Sequence, residues 1–123
     1  LFADTSATGV ILCRSCSHLR NCRLGIRGET LLADRSLRTD LICPSDYQGG
    51  PHVAHGGWTA GVLDEMSGHA LLIRDEFAVT GELIVTFAKP IPIERPLRGI
   101  ARITERQGRE VYVESELRLA DTV

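Results

Sequence analysis

Two acidic residues, Asp64 and Glu65, stand inside an otherwise apolar, proline-free run of about 16 residues that follows Gly56-Gly57. Such a run reads as a helix, and a helix apolar on almost all sides is expected to be buried. A carboxylate taken out of water there must be paired, protonated or put to use. Glu65 can pair with His69 one turn later. Asp64 is the candidate general base or nucleophile. Eight residues upstream, the helix start offers unpaired N–H groups and the positive end of the helix dipole, and Gly56 and Gly57 let a reacting carbonyl approach that backbone.

A second cluster has ligand chemistry. Cys13, Cys16, His18 and Cys22 are four potential zinc ligands within ten residues. One residue between Cys16 and His18 makes a tight chelate ring, so reduced thiols packed in a turn are expected, with no metal. No helix pattern follows Cys13 to lower its pKa, which argues against a redox pair.

The elements that must position these residues follow from pattern. At 123 residues and 43% hydrophobic, the chain makes one domain with a small core. We expect residues 1–22 to form an arm and Cys-rich turn, and residues 23–123 a single domain. Beginning at Leu1 and stopping at Val123 after a strand-like segment, the chain is expected to lack residues at both ends, the last strand among them. A net charge of −2 gives no bias toward nucleic acid or membrane lipid, although 13 of the 14 basic residues are arginine and a local cluster can hold phosphates. No apolar run approaches the roughly 20 residues of a membrane span and no signal pattern opens the chain, so a cytoplasmic protein is expected.

From Arg23 to Cys43 the pattern is extended, with Gly25, Gly28 and Asp34 as turn points and Leu37, Thr39, Leu41 and Cys43 on one parity. Residues 44–50 form a loop that leads to the helix where substrate enters. After the helix come three strands: Glu82 to Phe87, Leu97 to Glu105, and, beyond the Gln107-Gly108 turn, Val111 to Leu119. This order predicts an α+β fold, a curved antiparallel sheet wrapped around one long helix.

Ala54-His55-Gly56-Gly57, then Leu63-Asp64-Glu65, Thr80-Gly81-Glu82-Leu83 and Phe87-Ala88-Lys89-Pro90, resemble the hotdog-fold acyl-CoA thioesterases, in the branch of the phenylacetate-pathway enzymes and thioesterase-superfamily members. Cys13-x-x-Cys16, Leu24-Gly25 and Tyr47-Gln48-Gly49-Gly50 resemble the N-terminal part of many members. The resemblance implies hydrolysis of a fatty or aromatic acyl-CoA without a cofactor. Asp64 is then base or nucleophile, the amides of Gly56 and Gly57 form the oxyanion site, and Thr80 holds the attacking water. Many relatives carry an Asn or Gln just before His-Gly-Gly; the nearest candidate here is Gln48. Among candidate binding residues, His55 reads as a hydrogen-bonded loop anchor, Trp58 as packed at the subunit interface or beside the acyl channel, and Arg106 and Arg109, flanking the turn, either as contacts to coenzyme A phosphates or as solvated turn arginines. Gly61, Ser67 and Gly68 are positions for close packing.

Spacing adds a constraint of its own. Eight residues of helix separate Gly56 from Asp64 by roughly 12 Å, so one helix cannot offer both to one carbonyl. Two antiparallel helices across a two-fold axis can, and the resemblance implies that homodimer, with tetramers open to it. Two other classes fit the residues. A hotdog hydratase or dehydratase could use His52 with Asp64 or Glu65, although the Pro-Gly it expects at the helix start is absent. A non-catalytic acyl-CoA-binding module would keep Asp64 buried and paired.

Overall fold

The computed structural model describes residues 22–120. Cys13, Cys16 and His18 of the ligand cluster, and the proposed arm with them, lie outside the described residues. Strand β1 (Ile26–Leu31) turns into β2 (Leu37–Ile42), and a 3-10 turn (Ser45–Tyr47) leads to the short strands β3 (Gln48–Gly50) and β4 (Val53–Ala54). Helix α1 (Gly56–Leu72) follows, and the long strands β5 (Pro96–Gln107) and β6 (Glu110–Leu119) complete the order. The main sheet is antiparallel, ordered β1-β2-β5-β6, with α1 packed across it.

Alternation builds the sheet's inner face. In β2, Leu37, Thr39 and Leu41 are buried while Arg38, Asp40 and Ile42 are half-buried, the period of two that their sequence predicts. Leu97, Gly99 and Ala101 continue that face into β5. Along β6, Val111, Val113, Ser115, Leu117 and Leu119 are half-buried and alternate with exposed partners, as expected of a strand with one wet face. Two register shifts, between Ile26 and Gly28 and between Ile103 and Glu105, bend the ladders. Gly28, expected at a turn, sits at the first of these irregularities.

Helix α1 lays Trp58, Val62, Met66, His69 and Ala70 on the sheet, residues spaced three and four apart and all buried. Gly99 lets the helix come close. A Cβ there would lie 2.6 Å from the Met66 sulfur, so Met66 fills the space above a strand residue that has no side chain. The expectation of an all-round buried helix is corrected here. The opposite stripe of Gly57, Gly61, Asp64 and Gly68 is exposed apart from half-buried Asp64, and a Cβ at Gly61 or Gly68 would meet nothing within 4 Å. Of the three expected packing positions, only Ser67 touches the sheet, through Ser115 Oγ at 3.2 Å.

The expected strand from Glu82 to Phe87 is also corrected. Residues 76–91 carry no regular secondary structure, and Phe77, Val79, Ile84 and Phe87 are 71, 94, 82 and 59% exposed. The segment alternates like a strand but finds no neighbouring strand among the described residues, and a strand exists only as part of a ladder.

Candidate active site

The start of α1 is fixed by local bonds. His55 is the N-cap residue, its backbone N–H donates to Tyr47 O at 2.7 Å, and its Nδ1 accepts from the Gly57 amide at 2.8 Å. His55 is thus the hydrogen-bonded anchor that the sequence suggested. The cap also occupies one of the two expected oxyanion donors. Gly56 keeps the other: it is exposed, its amide has no acceptor among the described residues, and the Phe87 ring stands 3.6 Å from where its Cβ would be.

Gln48 pairs with Ala54, and Gly49 passes so close to His55 that a Cβ would come within 2.8 Å of its Cα. The exposed Gln48 is thereby brought beside the helix start, one residue in register from the N-cap. Asp64 lies two turns further along α1, half-buried, and accepts a 2.6 Å hydrogen bond from Thr80 Oγ1. The segment after the helix therefore runs back along it: Thr80 meets Asp64, and Phe87 meets Gly56.

Other expected residues go elsewhere. Trp58 is not at a surface: it is 3% exposed in the core, and its indole N–H donates to Leu24 O at 2.9 Å. Arg106 forms a two-pronged ion pair with Glu76, at 2.7 and 2.9 Å, and Arg109 lies in the exposed β5–β6 turn. Neither is joined to Asp64 within the chain. Cys22 is buried, and no group of three metal-ligating side chains occurs among the described residues. Burial pushes the Cys43 thiol up to about 11, which leaves it a packing group rather than a nucleophile.

The sequence reading missed Glu29. The expected pair of His69 and Glu65 forms, at 3.0 Å, but the other ring nitrogen of His69 meets Glu29 Oε1 at 2.7 Å. Glu29 is 0% exposed and also accepts from Thr39 Oγ1 at 3.2 Å. Burial would depress the His69 pKa, but the bonds and charges of Glu29 and Glu65 outweigh it and raise it to about 9. The bond to His69 holds the Glu65 carboxyl below its ordinary range. Glu65 is therefore engaged by His69, and Asp64 by Thr80.

One helix packed across an antiparallel sheet is the arrangement of a hotdog fold. Residues 52–123 match the thioesterase superfamily, and the chain belongs to that family. No curated protein matches the sequence. Among solved structures, it is similar to a thioesterase superfamily protein at 28% identity and a TM-score of 0.72, over 78% of this chain and 49% of that one. The chain thus spans about half the length of that relative. It also resembles a conserved protein from Pseudomonas aeruginosa (24%, TM-score 0.64, 76% of each chain) and zebrafish thioesterase superfamily member 2 (19%, 0.65, 76% and 69%). The last two likenesses speak to the fold. No helix among the described residues is long and apolar enough to cross a membrane.

Proposed function

We propose that the chain hydrolyses acyl-CoA thioesters as a homodimer, with Asp64 of one protomer facing the Gly56 amide of its partner. The observation that carries this reading is that one helix holds a Thr80-bonded Asp64 and, at its start, an exposed Gly56 whose N–H has no acceptor among the described residues. Asp64 takes a proton from water as its oxygen attacks the thioester carbon, or attacks that carbon itself. The Gly56 N–H and helix dipole stabilise the oxyanion, and collapse expels coenzyme A as the thiolate. A single turnover in 18O-labelled water identifies direct attack when the mixed anhydride is cleaved at its aspartyl carbon, because the first product then carries an Asp64 oxygen and Asp64 takes up 18O; rapid-quench trapping of the Asp64 anhydride identifies it when cleavage falls on the acyl carbon. Thiol release from short, medium, long and aromatic acyl-CoAs tests the activity. Turnover of one class supports it, and a folded dimer inert to all of them sinks it.

The segment 77–87 supports the homodimer. Its exposed apolar side chains and unpaired backbone suit a second copy of the same segment, which would supply the missing ladder neighbour. Placing a carboxylate there, as Ile84→Glu, is expected to shift the protein to monomer in light scattering and to reduce turnover to background with Asp64 intact. An Ile84→Glu protein that remains a fully active dimer would remove this segment from the interface.

A further inference from the structure

Past the C-terminal end of α1, a concavity of about 500 Å³ is lined by Asp34, Arg35, Arg74, Glu76, Arg102 and Arg106. Three separate elements supply the four arginines: the β1–β2 turn, the segment after the helix, and β5. Its acids are already engaged. Asp34 Oδ1 accepts from the amide and hydroxyl of Ser36 at 3.0 and 2.6 Å, and Glu76 is taken by Arg106. Four guanidiniums against two carboxylates leave an excess of positive charge. Arg102 makes a loose contact with Glu114, 3.8 Å apart with both side chains more than 60% exposed, and its charge also acts on Asp34 and Glu116.

Folding accounts for part of the cluster. Arg74 caps the helix by donating to Ala70 O and also donates to Arg35 O, a place where a cation suits the dipole. Burial, and then the neighbouring charge of Arg35, lowers the Arg74 pKa, so these cations crowd one another. Arg35 is the least expected member. Its φ of 74° lies in the left-handed region, where glycine or asparagine would close the same turn with less strain. A cation at a strained turn, lining one concavity with three more, points to a role outside the fold.

We propose that this concavity is a binding site for a phosphate-bearing anion, a phosphomonoester or diphosphate gripped by Arg35, Arg102 and the oriented Arg74. Guanidinium forks match phosphate oxygens in pairs, and several converging from different elements hold a group that no single one would fix. The site lies eight helical residues, about 12 Å, past Asp64 before the chain even leaves α1. Two sources of the ligand share this chemistry: the nucleotide end of a coenzyme A thioester, and a free phosphate compound.

Calorimetric titration of the whole chain with inorganic pyrophosphate at low and moderate salt tests the site. One pyrophosphate per chain is expected, weakening as salt rises. Arg102→Gln should bind about tenfold more weakly or worse, the cost of one charged hydrogen bond. Arg35→Gly should lose a comparable factor while its thermal midpoint holds or rises, since glycine relieves the turn. Arg27→Gln, on an exposed position of β1 outside the concavity, should bind as the parent does. No binding by the parent, or equal losses in Arg27→Gln, would overturn the site and assign the affinity to general surface charge. If coenzyme A competes with pyrophosphate and pantetheine does not, the pocket holds the substrate's nucleotide; if neither competes, it serves a free phosphate compound. Because binding is read without turnover, an inactive protein still decides the question.

Discussion

Asp64→Asn is expected to lower acyl-CoA turnover by about 10²–10⁴-fold, the usual cost of removing a positioned acid–base group. The substitution keeps the side-chain shape and leaves one oxygen to accept from Thr80 Oγ1, which bonds Asp64 at 2.6 Å. It removes the basicity that deprotonates water and the charge that could attack directly. Because Asp64 is half-buried and outside the core cluster, stability should move by less than about 1 kcal/mol. Acyl-CoA affinity should persist, as should the dimer. Turnover that falls together with binding and dimerisation would make Asp64 a structural residue and favour a binding module. Unchanged turnover would move the catalytic carboxylate elsewhere.

His69→Leu is expected to cost about 3–5 kcal/mol, a large share of the roughly 5–15 kcal/mol that holds a domain of this kind together. Little of that is lost attraction. Glu29 is 0% exposed and would be left with Thr39 as its bonded side chain, so the buried carboxylate must protonate or draw in water. Replacing both, as Glu29→Leu with His69→Leu, should recover most of the loss, since an apolar pair of similar volume fills the space without desolvating charge.

The parent protein should show the same network through pH. His69 is raised from 6.5 to about 9 on folding, so its contribution is fully present below about 6.5 and fades as pH climbs through 9. A gap of that size corresponds to about 3 kcal/mol. Burial raises the Glu29 pKa, which also favours the fold at lower pH. The lowered pKa of Glu65 acts oppositely, withdrawing stability only as pH falls into the carboxylate range. Urea unfolding followed from pH 5.5 to 9.5 should therefore show a decline above neutrality that the double variant, Glu29→Leu with His69→Leu, lacks. A flat profile in the parent would mean that the pair carries no proton into the fold.

Much of this architecture could be read from residue order, because it rests on local periodicity. Leu37, Thr39 and Leu41 alternate in one strand, and Val111 to Leu119 in another, so each announces its buried face. The helix followed from its length and absence of proline; the resemblance gives Thr80 to the attacking water, whereas its hydroxyl bonds Asp64 Oδ1 directly. Glu29 was hidden for a geometric reason. The register shift between Ile26 and Gly28 puts both Ile26 and Glu29 inside, three residues apart, where plain alternation would send one of them to solvent. Trp58 is buried away from the surface that one of its two expected places required, because a sequence does not show that Leu24, thirty-four residues earlier, offers its indole a carbonyl. The segment from Glu82 to Phe87 failed as a strand because alternation records a face, whereas a ladder also needs a neighbour.

The seat of Met66 over Gly99 makes the chain its own clock for opening. Met66 is the single methionine in the sequence and is 0% exposed, its sulfur lodged where a strand side chain would otherwise stand. Peroxide cannot reach that sulfur until the helix lifts from the sheet, and the sulfoxide, once made, is too polar to return. Oxidised mass accumulating in dilute peroxide should therefore count excursions of the helix away from the sheet, and should accelerate on the alkaline side where the charged network under the same helix loosens.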